Sequence, residues 1–405
     1  MSKFPRQLKS APELRFPGYK NNWNKVRLGK VARFSKGSPL AKSDISLDGV
    51  NECIHYGELF TQYGNLISEI KSKTNVSKEK SKLSIENDVL MPTSDVTPSG
   101  LATASAINKE NVILGGDILI INSEALNNLF FSYYISSHKK DVMRLVQGVT
   151  VYHLYSSHLA SLDVIYPEIQ EQKKISDYLS KIDEYVVNLK SQKDKIEVYK
   201  TGMMQKIFSQ ELRFKDKNGK NFPDWQTVRL GKIIEERTER AGSKNYDLLS
   251  ITMKNGVKKY DDSLKKDSSS GDKSNYKVVR KNDIAYNTMR MWQGASGVSA
   301  FEGVVSPAYT VVAPKNGDPD FFGYLFKMPR VVFDFYRYSQ GLTSDTWNLK
   351  FKHFKEIKVT VPTSKDEQLE ISNFLKSIDE LIEFKSKQIE KAETWKRGLL
   401  QKMFV

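Results

Sequence analysis

EQKKISDYLSKIDEYVVNLKSQKDKIEVYKTGMMQKIF, residues 171–208, returns without a gap as EQLEISNFLKSIDELIEFKSKQIEKAETWKRGLLQKMF, residues 367–404. In the first copy Ile175, Leu179, Ile182, Val186, Leu189, Ile196, Tyr199, Met203 and Ile207 recur at steps of three, four or seven. That is the spacing of one apolar seam on a coiled-coil helix. Leu375, Ile378, Ile382, Ile389, Ala392, Trp395, Leu399 and Met403 trace the same seam in the second copy. One lysine interrupts each seam, Lys193 and Lys385, and the other faces are dense in Lys, Glu, Asp and Gln. Such a helix seeks a partner along one stripe and keeps wet flanks. Because its copy lies in the same chain, the partner is expected to be intramolecular.

The repeat extends well beyond the helix. ELRF at 13–16 recurs at 211–214, and WNKVRLGK from Trp23 recurs as WQTVRLGK from Trp225. Further on, Asn87 and Asp88 match Asn282 and Asp283, while Gln147, Gly148 and Thr150 match Gln340, Gly341 and Thr343. The chain is two copies of one design, with loops of altered length between the anchors. Each half has a globular part of ordinary domain size followed by one long helix. The globular parts read as mixed and strand-rich: DVLMPT, NVILGGDILIINS and LDVIYP in the first, YKVVRKNDIAYN, GVVSPAYTVVAP and KEIKVTVP in the second, each a β-branched run closed by Pro, Gly, Asn or Asp. LNNLFFSYYISSHKKDVMRLV and DFFGYLFKMPRVVFDFYRYS sit at matching places as short helices over the sheet, the second interrupted at Pro329. Residues 261–274, rich in Asp, Ser and Lys, read as a mobile loop.

Composition narrows the function. The lone Cys53 excludes an intramolecular disulfide framework, and five scattered histidines offer no metal spacing, so a reducing cytoplasm fits. The opening MSKFPRQLKS has no apolar core for a signal peptide, and no run is long enough to span a membrane. Against 48 Asp and Glu stand 63 Lys and Arg, a formal charge of +15, which points to a polyanionic partner, foremost nucleic acid. A helix of this length extends roughly 55–60 Å. Two of them paired antiparallel would carry two heads related by a pseudo-twofold axis, an arrangement suited to reading two half-sites at fixed separation. Since the heads differ in sequence, the target would be asymmetric.

The ordered set Trp-x-x-Val-Arg-Leu-Gly-Lys, Gln-Gly-x-Thr, a strand ending in Pro, Glu-Gln-x-x-Ile-Ser-x-x-Leu-x-x-Ile-Asp and Gly-x-x-Gln-Lys-x-Phe, present twice, resembles the specificity subunit of type I restriction-modification enzymes over nearly the full chain. The resemblance implies an α+β chain: two similar mixed α/β target recognition domains, residues 20–166 and 222–362, joined by helical spacer regions, residues 167–208 and 363–405, that form an intramolecular antiparallel coiled coil. It further implies one half of a bipartite double-stranded DNA sequence read by each domain, with the helices setting the unspecified spacer. The implied partners are methyltransferase subunits, two of them, docked on the helices, and restriction subunits that carry translocation and cleavage. S-adenosylmethionine, ATP and Mg belong to those partners, with no cofactor on this chain, in a bacterial cytoplasm.

Two further readings stand beside it: a DNA-modifying or DNA-cleaving enzyme with a divergent active site, and a structural rod. A DNA adenine methyltransferase needs an Asn/Asp-Pro-Pro-aromatic loop, and the sequence has no Pro-Pro pair. A nucleotide-driven motor needs a Gly-rich loop ending in Gly-Lys-Ser/Thr, which is also missing. The chain is therefore read as non-catalytic.

Candidate DNA-contacting residues lie where the copies diverge inside the shared frame. After the Asn-Asp strand the first half reads PTSDVTPSG, offering Thr93, Ser94 and Thr97, and the second reads NTMRMWQGASG, offering Asn287, Arg290, Trp292 and Gln293. Arg290 is suited to guanine O6 and N7, Asn287 or Gln293 to adenine, and Trp292 to a thymine methyl or sugar, although a core tryptophan explains Trp292 equally well. The hydroxyls of the first half discriminate bases less sharply and suit phosphates. A second pair of loops adds Gln147, Thr150, Tyr152 and His153, with Gln340, Thr343 and Ser344. The shared Gln147, Thr150, Gln340 and Thr343 suit backbone positioning, and their variable neighbours suit base reading. The run Lys71, Lys73, Lys78, Lys80 and Lys82 suits phosphates, or an ordinary solvated face.

Overall fold

The computed structural model describes residues 11–253, 256–260, 272–344 and 346–405. The N-terminal stretch read above for a signal peptide, residues 1–10, and residues 261–271 of the expected mobile loop lie outside the described residues. The chain divides into two compact units, one running up to Ser191 and including Lys387–Val405, the other Gln192–Ser386. Each unit thus holds one globular half and one end of each long helix.

In the first unit the globular part is built on a five-stranded sheet, in the order Arg33–Lys36, Ile118–Asn122, Val89–Pro92, Ser105–Ile107 and Leu66–Ile67. In the second, the corresponding sheet has four strands, in the order Ile234–Arg237, Tyr309–Pro314, Ile284–Asn287 and Ser296–Val298. A helix covers each sheet: Asn128–Ser137, started by the Asn127 side chain accepting from Phe130 N at 2.9 Å, and Pro319–Leu325, started by Asp318 accepting from Phe321 N at 2.8 Å. Each buries a pair of phenylalanines, Phe130 with Phe131 and Phe321 with Phe322. The segment predicted to break at Pro329 does so, and that proline opens a second helix, Pro329–Tyr338, where its missing N–H costs no hydrogen bond.

The long helices are Ile169–Phe208 and Lys365–Met403. Within the first unit Ile175, Leu179 and Ile182 share a core with Leu399, Met403 and Phe404, and Val186 and Leu189 pack with Ile389 and Ala392. Residue numbers rise on one helix as they fall on the other, so the pair is antiparallel. Within the second unit Ile196 and Ile207 share a core with Ile371, Leu375, Ile378 and Ile382. Three residues expected in the seam are outside it: Tyr199 is 53% exposed, Trp395 is 50% exposed, and Met203 gives way to Met204, which packs on the core instead. The step of three from Ile196 and from Ala392 swings off the stripe. The step of four lands on Lys200 and Lys396, whose ammonium groups meet Asp379 at 2.6 Å and Asp183 at 2.5 Å on the other helix. A charged pair has displaced an apolar one. Lys193, which breaks the seam, bonds Glu197 one turn along its own helix at 2.7 Å.

The repeated motifs prove to be joints between globular part and helix. Arg15 of the first ELRF grips the fully buried Glu171 through two bonds of 2.7 and 2.8 Å, and Arg213 of the second grips Glu367 at 3.1 and 3.0 Å. The neighbouring glutamines tie the helix start to the loop before the domain helix: Gln172 accepts from Asn127 N at 2.8 Å, and Gln368 from Asp318 N at 2.9 Å. The Trp-x-x-Val-Arg strand pairs antiparallel with the last strand of its domain, Asn24–Arg27 with Asp163–Tyr166 and Gln226–Arg229 with Lys358–Val361. At the repeated Leu-Gly, a Cβ on Gly29 would stand 2.9 Å from Ala160 Cβ, and one on Gly231 2.8 Å from Lys355 Cβ, so only glycine fits. Asn87 (φ 68°) and Asn282 (φ 71°) take the left-handed conformation that asparagine tolerates. The buried Asp88 and Asp283 then close each turn by accepting from Ile85 N at 2.9 Å and Arg280 N at 2.8 Å.

Candidate nucleic-acid interface

In the first unit the two divergent loops meet as a small antiparallel sheet, Gln147–Gly148 beside Tyr152–His153 beside Ser94–Asp95. Its register sets Gln147 opposite His153, and His153 opposite Ser94, whose hydroxyl lies 3.0 Å from His153 Nδ1. The tip between the strands is open: Val149 is 89% exposed, with Thr150 and Val151 also on the surface. The hairpin depends on Gly148, at φ 128°, because a Cβ there would stand 2.1 Å from Val151 O. Two of the expected residues serve the frame instead. Thr93 is buried and donates to Asp117 O at 3.1 Å. Thr97 starts the turn Pro98–Leu101 by accepting from Gly100 N at 3.4 Å, and donates to Asp95 Oδ2 at 2.7 Å.

In the second unit the equivalent loops also come together, through Leu349 N donating to Thr288 O at 2.8 Å and through Trp292 and Trp347, whose rings meet edge-on at 5.2 Å. Gln340 pairs with Asn348 by backbone bonds of 2.9 and 2.8 Å. Gly341, at φ 149°, leaves only 2.7 Å between its would-be Cβ and Thr346, so the Gln-Gly-x-Thr repeat records a backbone requirement in both hairpins. Thr343 is held in a turn by Thr346, and Ser344 is exposed beside it. The Asn287 side chain accepts from Met289 N at 3.0 Å, shaping the loop, and Trp292 Nε1 donates to Met289 O at 3.0 Å. Arg290 is exposed and makes no ion pair among the described residues, while Gln293 is half-buried behind it.

Further contributors had no signal in the sequence. Tyr336 packs on Trp347 at 4.9 Å, extending the tryptophan pair into an aromatic cluster that ends at Phe333, 57% exposed. Lys327, after the domain helix, donates to Gly294 O at 2.6 Å and to Ser296 O at 2.8 Å, clamping the Arg290 loop from behind. Burial, with the charge of Lys200 adding to it, pushes that ammonium down to about 8. Beside this loop, a cavity of about 490 Å³ is lined by Lys277, Lys350 and Lys352 among others. Lys71, Lys73, Lys80 and Lys82 are exposed and Lys78 half-buried, Lys71 lying 3.4 Å from Glu69.

Among the described residues no three His, Cys, Asp or Glu side chains gather as a metal site, and no helix is long and apolar enough to cross a membrane.

Among curated proteins, the type I restriction enzyme MjaVIII specificity subunit of Methanocaldococcus jannaschii is 23% identical over 94% of this chain and 91% of its own length. The putative MjaX specificity subunit of the same organism is 23% identical over 72% of this chain and 71% of its own. Among solved structures, the S subunit of a type I restriction-modification system from M. genitalium matches with a TM-score of 0.61 at 17% identity, covering 98% of this chain and 99% of that one. A chain from a study of complex assembly and conformational transition in the type I system matches with a TM-score of 0.54 at 14% identity, covering 97% and 99%. These structural likenesses bear on the fold. The family profile described as the type I restriction modification DNA specificity domain matches twice, at residues 20–198 and 223–394, spanning both globular halves and most of both helices. The chain belongs to the type I restriction-modification DNA specificity family.

Proposed function

We propose that this chain is the non-catalytic specificity subunit of a type I restriction-modification complex in a bacterial cytoplasm, reading an asymmetric bipartite site in double-stranded DNA. Recognition domains at residues 20–166 and 222–362 each read one half-site, and helices at 167–208 and 363–405 set the unspecified spacer. The observation that carries this reading is that, in each unit, the two loops that differ between the copies lie side by side over a frame whose repeated Arg–Glu joint, Asn-Asp turn and glycines are structural.

In the second domain Arg290 reads a guanine and Gln293 a neighbouring base, with Trp292 packing on a sugar or thymine methyl. Asn287, Gln340 and Thr343 hold that loop pair in place, and Ser344 meets the backbone. In the first, His153, Ser94 and Tyr152 read bases while Gln147 and Thr150 take phosphates. Thr93 and Thr97 act through the loop shape they maintain. Methyltransferase subunits, two per chain, dock on the helices, where Tyr185, Val187, Val198, Leu381 and Phe384 expose apolar surface. Restriction subunits join that core. S-adenosylmethionine, ATP and Mg act in the partners.

The test is to assemble the chain with its methyltransferase subunits and map adenine methylation on a library of bipartite duplexes. A single asymmetric motif with a fixed gap is the expected result. The chain alone, incubated with DNA, divalent metal and S-adenosylmethionine, should show no turnover. Turnover by the isolated chain would replace this reading with that of a DNA-modifying enzyme.

A further inference from the structure

Each unit contains the same three side chains in the same arrangement, drawn from three separate segments. In the first unit Tyr133, on the helix Asn128–Ser137, donates its hydroxyl to Asp183 Oδ2 at 2.7 Å, Asp183 standing on the first long helix. Lys396, on the second long helix, lies 2.5 Å from Asp183 Oδ1 and 5.2 Å from the centre of the Tyr133 ring. In the second unit Tyr324, on the helix Pro319–Leu325, donates to Asp379 Oδ2 at 2.7 Å. Lys200 lies 2.6 Å from Asp379 Oδ1 and 5.0 Å from the Tyr324 ring. The helices have exchanged roles between the units: the one that supplies the aspartate in one supplies the lysine in the other.

The chemistry of this cluster is directional where the seam around it is not. Leucine and isoleucine stripes tolerate a slip of one turn, about 5.4 Å, at modest loss. A carboxylate shared between a phenol and an ammonium tolerates none, because the slip leaves charged groups without partners in a partly dry site. Lys396 and Lys200 keep only 20% and 21% of their side chains exposed, so water cannot fully replace the lost contacts. Burial and the adjacent aspartate push both phenols above their ordinary range, so they stay protonated donors. The cluster also binds three bodies at once: globular part, its own helix and the opposing helix.

We propose that Tyr133–Asp183–Lys396 and Tyr324–Asp379–Lys200 are register pins. They fix the antiparallel register of the helices and the seating of each globular part on them, and so determine which spacer between half-sites the complex accepts. The spacer clause rests on the function proposed above; the register clause does not. These are positioning residues that lie outside the divergent loops.

Two readouts separate the clauses. The first uses no DNA: Leu189→Cys with Ala392→Cys, in a Cys53→Ser background, reports helix register by cross-linking through a short thiol reagent. Tyr133→Phe combined with Lys396→Met is expected to slow that cross-link about tenfold, while Ile175→Val, which weakens the seam two turns away from Asp183, lowers the melting temperature and leaves the cross-link unchanged. The second uses the assembled methyltransferase complex on duplexes whose spacer is lengthened or shortened by one base pair. The parent is expected to prefer one spacer, and the pin variants, including Tyr324→Phe with Lys200→Met, to lose most of that preference while still methylating. An unchanged cross-link and an unchanged spacer preference overturn the proposal. A cross-link that follows the pins in a parent that prefers no spacer overturns the spacer clause and the ruler reading of function together, and upholds the register clause.

Discussion

The two units share their joints and differ at their rims. At the joint, Arg15 with Glu171 and Arg213 with Glu367 make the same two-pronged contact, yet Trp225 Nε1 also donates to Glu367 at 3.0 Å, whereas the buried Trp23 Nε1 has no hydrogen-bond partner among the described residues. At the rim, the first unit offers hydroxyls, an imidazole and an open hairpin. The second offers a guanidinium, an aromatic cluster and a lysine clamp. The place of Lys327 is taken in the first unit by Ser136, whose hydroxyl accepts from Asn65 Nδ2 at 2.7 Å. Duplication has kept the load of the fold on a few polar joints and left the loops free to diverge, which is what two different half-sites would require.

The largest expected effect breaks the shared part. Glu171→Ala or Glu367→Ala leaves a largely buried arginine without its carboxylate, and each should cost about 3–5 kcal/mol of stability by denaturant unfolding. Glu367→Ala should cost about 1 kcal/mol more than Glu171→Ala, since it also orphans the Trp225 indole. Equal losses would remove the asymmetry between the joints. The next effect sharpens the difference between the rims. Arg290→Ala should weaken discrimination by about 1–3 kcal/mol at one base of a single half-site, with the other half-site read as before, as measured by methylation of single-substitution duplexes. Loss at both halves would contradict separate reading.

The smallest effect isolates the clamp. The Lys327 ammonium sits near 8 when folded against an ordinary 10.5, so between those values the unfolded chain holds a proton that the folded chain has released. This group's contribution to stability therefore rises as pH climbs from about 8 to 10.5. Lys327→Met should abolish that rise, a difference of about 2–4 °C in Tm across the window. A parent and variant with parallel pH profiles would show that the clamp carries no titrating charge.

Much of this was legible along the chain. The duplicated helices, the strand runs closed by turn residues and the break at Pro329 all follow from local pattern, whereas the antiparallel pairing of the helices was implied by the family resemblance. The pairing of loops around Gln147 and Gln340 with those after Asn87 and Asn282 was legible as divergence within a frame, though their contact was not. Three points needed coordinates. Tyr199 and Trp395 fit an apolar seam by spacing alone, and only the aspartate facing each neighbouring lysine decides that the lysine turns inward. Thr93 looked like its neighbours Ser94 and Thr97, and burial against Asp117 sets it apart. Lys327 and Tyr336 reach the rim from the segment read only as helices over the sheet, and Trp347 from just beyond the Gln-Gly-x-Thr repeat, with no pattern of their own to mark that role.

The sequence by itself determined that the chain is doubled, that each half ends in a long amphipathic helix, and that a basic frame carries divergent loops, because periodicity, repetition and charge are properties of local order. Only the tertiary structure decided which repeated residue does what. ELRF meets Glu-Gln across more than 150 residues of chain, and Tyr133, Asp183 and Lys396 converge from three segments. Ion pairs and shared hydrogen bonds of this kind are set by distances of a few ångströms between remote side chains, and no one-dimensional pattern encodes them.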